Sequence, residues 1–397
     1  MILVVATVIV TATGLSASDE SEETLRSRAN ELAGDMLIID THIDAPLHQN
    51  RNWVDLTQDT DRHFDYPNAV QGGLDASFMS IYISPAFQDG GAKERADRLI
   101  RTVESMVKKW PGKFAHASFP EEIRTNATNG VVSLPMGMEN GAPLEGDIDN
   151  LNYFYDRGIR YITLTHARVN HICDSSYDTT RIWNGLSPFG KRLIPEMNRV
   201  GMIIDISHVT DSAFYQVLDL TVAPVIASHS ACRHFTPEFE RNMSDRMIRK
   251  LAQNGGVIQM NFGSYFLLDD FREKWSRMQS DVNSYLEEHE LARSDEKAQE
   301  FIDQYRKEHH IYDADVSDVA DHIDHVVRLV GVDHVGIGSD YDGVGSVPTG
   351  LENVSKYPNL IYELLKRGYS EQDIRKIFGE NFLRVWEEIN KVARDMK

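Results

Sequence analysis

Short apolar runs rich in β-branched residues recur along the chain, each closed by glycine, proline or a polar residue. Eight stand out, at 36–41, 77–83, 131–138, 158–165, 202–207, 224–228, 256–261 and 334–339. Between them the period changes: 93–110, 191–200, 211–218 and 245–254 place apolar residues every three or four positions, as amphipathic helices do. Alternation of strand and helix argues for a parallel sheet, and eight strands favour closure. The fold predicted is α/β, a (β/α)8 TIM-type barrel, followed by helices at 357–367 and 371–396. No internal repeat or Ser/Gly linker interrupts it, so residues 18–397 are expected to form a single domain.

One stretch breaks the rhythm. Residues 269–321 are dense in charge and helical in propensity, and Ser294-Asp295-Glu296 reads as a helix start, so a helical hairpin is predicted between strands 7 and 8. Such an insertion is either a solvated surface element or, since it follows a barrel strand, a wall of the catalytic face. At the other end, residues 1–17 form an apolar segment running into small residues, which reads as a secretory signal although it lacks a leading Lys or Arg. No later segment is long enough to span a bilayer, and no apolar tail of the kind a lipid anchor needs precedes Lys397. The mature chain is therefore expected to be exported, periplasmic or extracellular.

Charge narrows the partners. With 41 Lys+Arg against 61 Asp+Glu, a net −20, the surface field repels nucleic acid and anionic lipid. Cys173 and Cys232 are too few for a disulfide scaffold and allow one bridge at most.

The chemistry emerges at the strand ends. Strand one ends in His42-Ile43-Asp44, two ligand-type side chains on one side of an extended segment. Strand three ends in Glu139 between Gly137 and Gly141, strand four in His166, strand five in His208, strand six in His229 and strand eight in Asp340. Gathered at one barrel mouth, these charges are costly unless they coordinate a cation. His42, Asp44, Glu139, His208 and His229 form a mixed nitrogen and oxygen set that suits Zn²⁺. Five ligands are one too many for an open mononuclear site; if Glu139 bridges, two ions each receive enough ligands and still hold a shared water. Asp340 is then the acid/base, and His166 polarises or holds the substrate carbonyl.

Several strings carry a family likeness: DTHID at 40–44, GMENG at 137–141, YITLTH at 161–166, GLSPFG at 185–190, MNRVGMIIDISH at 197–208, PVIASHS at 224–230, RNM at 241–243 and GIGSDYDGV at 336–344. With these, the chain from about Met36 to Glu388 resembles the membrane (renal) dipeptidase family of binuclear zinc dipeptidases. The resemblance implies a barrel with two Zn²⁺ per chain that hydrolyses dipeptides, tolerating a D-residue at the C-terminal position. It assigns His42 and Asp44 to one zinc, His208 and His229 to the other, and Glu139 to both. It makes Asp340 the acid/base and His166 a substrate contact near the scissile bond. Arg241 would grip the substrate carboxylate, with Tyr265 helping at the same end. Covalent dimerisation finds no support in the cysteines, which leaves a non-covalent homodimer open.

Other readings fit less well. An amidohydrolase of the ring-cleaving type shows His-x-His on strand one and a lysine on strand four, whereas this chain has His42-x-Asp44 and no lysine at 158–165. Hydrolysis of N-acyl-D-amino acids or β-lactams on the same metal site is the enzymatic alternative. A non-catalytic peptide-binding module predicts loss of Asp340, which is present. No Gly-x-Ser-x-Gly elbow supports a serine hydrolase, and Gly336, Gly338 and Gly343 do not make a dinucleotide fingerprint.

Overall fold

All eight β-branched runs become strands, and their order in space follows their order in the chain. The computed structural model describes residues 21–397, so the apolar segment at 1–17 lies outside the described residues. One sheet contains β1 (Ile38–Ile43), β2 (Leu74–Tyr82), β3 (Phe114–Ala115), β4 (Val132–Ser133), β5 (Met136–Glu139), β6 (Ile159–Thr163), β7 (Ile203–Asp205), β8 (Ile226–Ser230), β9 (Val257–Met260) and β10 (Val335–Ile337). Every pairing is parallel. From β1 the sheet runs through β2, β5, β6, β7, β8 and β9 to β10, then returns to β1. The return is a parallel bridge between Ile43 and Tyr341, in which Asp340 N–H donates to the His42 carbonyl (3.1 Å) and Asp44 N–H to the Tyr341 carbonyl (2.9 Å). The eight apolar runs thus close into the predicted (β/α) barrel.

Helices pack outside through one apolar face. In Ala92–Lys109 the buried positions include Ala92, Ala96, Leu99, Ile100, Val103 and Met106, spaced three and four apart, which leaves the arginines between them outward. Inside the barrel a separate apolar layer gathers Ile39, Ala76, Phe78, Tyr161, Ile203, Ile226 and Val257. The last helix, Asn381–Asp395, plugs this layer with Phe382, Trp386 and Ile389. Phe78 sits at its centre, 5.2 Å from Phe382, 5.4 Å from Trp386 and 5.3 Å from Tyr161 between ring centroids.

The structure departs from the sequence reading in three places. The run at 131–138 splits into β4 and β5 around Leu134-Pro135, because proline has no N–H for the ladder. The hairpin consists of Asp269–Glu288 and Glu296–Glu308, joined by a Tyr285 on Phe301 stack at 3.7 Å; the charged residues beyond 315 belong to a separate helix, Val316–Val330. The helix at 371–396 is Glu371–Arg375 and Asn381–Asp395 with a π-helical turn, Lys376–Glu380, between them. Cys173 and Cys232 are both buried free thiols, so the one bridge they allow is not formed.

Asp75 marks where β1 starts. The register steps from Ile38 opposite Leu74 to Ile39 opposite Ala76, which leaves Asp75 as the extra residue of a bulge, and its carboxylate accepts the Ile38 N–H at 2.9 Å. Burial pushes its pKa up to about 6, against the acceptance of that N–H, which lowers it. A carboxyl raised on folding costs nothing below about pH 4, costs progressively more up to about pH 6, and carries a constant penalty above it. Asp75→Asn keeps the acceptor and removes the charge. The variant should melt with the parent near pH 4 and above it at pH 7.5, by the equivalent of roughly 1–3 kcal/mol; equal melting at both pH values would refute the penalty.

Candidate metal centre and active site

The C-terminal rim carries the acids and histidines because each strand ends in a turn shaped to present them. Gly137 on β5 is required by its neighbour: a Cβ there would lie 1.9 Å from the Tyr161 ring. After Glu139 the backbone turns left-handed at Asn140 (φ +77°), whose amide side chain donates to the Ile83 carbonyl at 2.9 Å. His208 (φ +69°) and Asp340 (φ +64°) also adopt left-handed conformations, which cost energy in residues bearing a Cβ and are held by the surrounding rim.

Glu139 lies at the centre. Its Oε1 is 3.1 Å from His208 Nε2, 3.4 Å from His229 Nε2 and 3.5 Å from His166 Nε2, while its Oε2 is 3.5 Å from His42 Nε2. The two oxygens therefore face two separate sets of ligand atoms. Asp44 Oδ2 stands 3.4 Å from His42 Nε2, and Asp340 joins the same side, its ligand atom within 4.8 Å of theirs.

Partners behind the histidines fix which nitrogen points inward. The Tyr161 hydroxyl donates to the Thr41 carbonyl (3.1 Å), so it accepts from His42 Nδ1–H (2.7 Å) and leaves the Nε2 lone pair aimed at the carboxylates. That nitrogen is buried and has no hydrogen-bond partner. An acceptor surrounded by acceptors is the arrangement a cation satisfies, so these residues fit a metal. Asp205 repeats the device. It accepts the Ser228 hydroxyl at 2.6 Å, which leaves Ser228 Oγ to accept from His229 Nδ1 at 2.8 Å and turns His229 Nε2 inward, 2.8 Å from His208 Nε2. Asp40 completes the support, accepting the backbone N–H groups of His42 and Ser339 (both 3.0 Å) and the Tyr357 hydroxyl (2.6 Å).

Electrostatics separates the two key carboxyls. Burial raises the Glu139 pKa, but His166, His42, His208 and His229 outweigh it and hold the group well below the usual carboxylate range. Burial pushes Asp340 up to about 7; Asp44 and Glu139 add to the push, against His42 and a hydrogen bond from Asn261 (2.8 Å to Oδ2). Burial and the Arg241 charge keep His208 well below its ordinary value, and burial first, then His42, does the same to His229.

A cavity of about 830 Å³ opens over this cluster, lined by Asp44, Glu139, His166, His208, His229 and Asp340. Tyr82, Tyr177 and Tyr265 form part of its aromatic wall. The hairpin contributes Phe271 and Trp275, stacked at 5.2 Å, so the insertion walls the cavity. His166 reaches the cavity with an edge contact to Tyr82 (5.0 Å). Arg241 sits differently from the other predicted residues. It is buried behind the histidines, donating to the His229 carbonyl (2.7 Å) and Ser230 Oγ (2.7 Å) and lying 3.2 Å from His208 Nε2, with its Nε unpartnered.

Sequence reasoning did not select Tyr161, Asp40, Asp205, Ser228 or Asn261. Asp40 and Asp205 carried a usable signal: an acid inside an otherwise apolar strand run needs buried donors. Tyr161 had none, since a tyrosine in a strand is ordinary.

The family description "membrane dipeptidase (peptidase family M19)" matches residues 26–397. The dipeptidase tcpJ of Claviceps purpurea is 32% identical over 350 residues, which cover 86% of this chain and 72% of that protein. The solved structure of the probable dipeptidase PvdM from Pseudomonas aeruginosa is similar with a TM-score of 0.80 at 28% identity, over 94% of this chain and 100% of that one. A metallopeptidase from Rhodobacter sphaeroides, solved with a phosphinate mimic of the dipeptide L-Ala-D-Ala, has a TM-score of 0.72 at 25% identity, over 89% and 99% of the two chains. The motif resemblance, the barrel and these matches agree, and the chain belongs to the membrane dipeptidase family of metallopeptidases.

Proposed function

We propose that this protein hydrolyses dipeptides of the form L-Xaa-L-Yaa and L-Xaa-D-Yaa with two zinc ions. The observation that carries this reading is the carboxylate of Glu139, whose two oxygens face different histidines. His42, Asp44 and Glu139 would hold one ion; His208, His229 and Glu139 would hold the other. Divalent ions in such a set supply Lewis acidity and make a water acidic enough to lose its proton near neutral pH. Asp340, with Oδ2 committed to Asn261, accepts that proton at Oδ1 and passes it to the departing amine. His166 holds the oxygen of the scissile carbonyl as negative charge develops there. Arg241 receives the C-terminal carboxylate through its guanidinium, which requires it to leave the His208 contact, and Tyr265 flanks that end of the peptide. A homodimer is compatible with this chemistry, since every proposed residue comes from one chain.

Among the described residues no helix is long and apolar enough to cross a membrane. With the signal-like run at 1–17, that supports an exported enzyme working on peptides outside the cytoplasm. The R. sphaeroides relative bound to a D-Ala-containing mimic supports tolerance of a D-residue at the C-terminal position.

Three measurements test this reading. The purified protein should contain about two zinc per chain and cleave Ala-Ala and Ala-D-Ala; chelation should abolish turnover, lower the melting temperature, and be reversed by Zn²⁺. Metal without any dipeptide cleavage would sink the substrate and point to N-acyl-D-amino acids or β-lactams. Asp340→Asn should retain both ions while kcat falls by about 10²–10⁴; unchanged turnover would remove its role. Tyr161→Phe removes the acceptor behind His42 and should weaken metal affinity about 10–100-fold, read as zinc retained against a graded chelator. Parental retention would show that the hydroxyl does not orient the ring.

A further inference from the structure

Beside the active-site mouth lies a second cleft of about 480 Å³, lined by Gln49, Asn50, Arg51, Trp53, Arg98, Arg101, Thr102 and Ser105. Arg51 lines both cavities. It ends the helix Ala45–Arg51, while Arg98 and Arg101 lie on the outward face of Ala92–Lys109, with Arg95 one turn before them. No carboxylate lines this cleft.

The charges here are uncompensated. Among the described residues none of Arg51, Arg95, Arg98 and Arg101 has a carboxylate within ion-pair distance, although acids outnumber bases by 61 to 41. Elsewhere Arg157, Arg233 and Arg367 all pair with carboxylates. Of the three acids on the same helix, Asp97 and Glu104 pair with Arg157, and Glu94, one turn before Arg98, is not within ion-pair distance of it. Arg95 is half-buried with only the Asn50 side-chain carbonyl as acceptor (3.0 Å), and burial, then the charges of Arg98 and Arg51, lower its pKa. The Thr102 and Ser105 hydroxyls donate to the Arg98 and Arg101 carbonyls and the Asn50 amide to Thr102 Oγ1, so the donors left for a ligand are the exposed guanidinium groups of Arg51, Arg98 and Arg101, which suit an anion.

We propose that this cleft is an anion subsite opening off the active-site mouth, taking a carboxylate or phosphate group through Arg51, Arg98 and Arg101. The group comes either from an acidic side chain of the dipeptide or from a free anion bound beside it. The first source rests on the dipeptidase reading; the second does not.

The test compares kcat/KM for Ala-Glu with Ala-Gln and Glu-Ala with Gln-Ala, in the parent and in R98A/R101A. The same proteins are titrated with inorganic phosphate by calorimetry. A substrate-borne anion predicts that one acidic dipeptide is preferred over its amide twin by about tenfold through KM, the scale of a charge-assisted contact. R98A/R101A should erase that preference and leave the amide substrates unaffected. A free anion predicts no such preference but phosphate binding to the parent that the double variant loses. Absence of any such preference, with phosphate binding that is either undetectable or retained in R98A/R101A as binding at the zinc centre would be, overturns the subsite. Failure of the parent to cleave any dipeptide would count against the proposed function alone, and phosphate binding would then decide the subsite.

Discussion

A buried imidazole nitrogen that meets only carboxylate oxygens sets the terms for this molecule. His42 Nε2 cannot turn away, because Nδ1 is committed to Tyr161, and it cannot find a donor, because Asp44 and Glu139 are what face it. Without a metal ion that nitrogen takes up a proton instead: burial lowers the His42 pKa, but Tyr161, Glu139 and Asp44 outweigh it and raise it well above the ordinary imidazole value, so metal and proton compete for one lone pair. The surrounding structure keeps that conflict in place. Tyr161 is held over Gly137 and stacked on Phe78, which in turn rests on the plug of Trp386 and Phe382. Packing at the barrel floor is thereby converted into ring orientation at its mouth.

Much of this was legible in the sequence. The strands were visible because parallel strands covered on both faces read as short apolar runs. The ligands were visible because those runs ended in His, Asp or Glu. Less visible was anything that depends on a neighbour across the barrel. Pro135 divides one run into two strands that both pair with β2, and β3 is only two residues long, too short for any period. Tyr161, Ser228 and Asn261 act through side chains distant in sequence, so no local pattern distinguishes them from ordinary strand residues. Arg241 illustrates the opposite case. Its motif marks it for a substrate, yet in this structure its two terminal nitrogens donate to Ser230 and the His229 carbonyl, and only Nε is without a partner.

The charged hairpin shows how composition can mislead about position. Its surface is solvated, as the charge suggests, but its inner face has its own apolar cluster of Phe271, Met278, Val282, Leu286, Ala298 and Tyr305. That small core stiffens a segment that would otherwise be a loop. It allows Phe271 and Trp275 to stand as a fixed wall over the acids and histidines.

The seam that closes the barrel has a consequence in time. Asp40 holds Ser339 and Tyr357 across separations of 299 and 317 residues. A chain growing at about 5–20 residues per second leaves β1 without that neighbour for roughly 15–60 s after it emerges. His42 and Asp44 therefore exist long before Asp340 is made, and the ribosome finishes nearly the whole polypeptide before any hydrolytic centre can be assembled. Topology thus acts as a delay between translation and proteolytic competence, built from strand order alone.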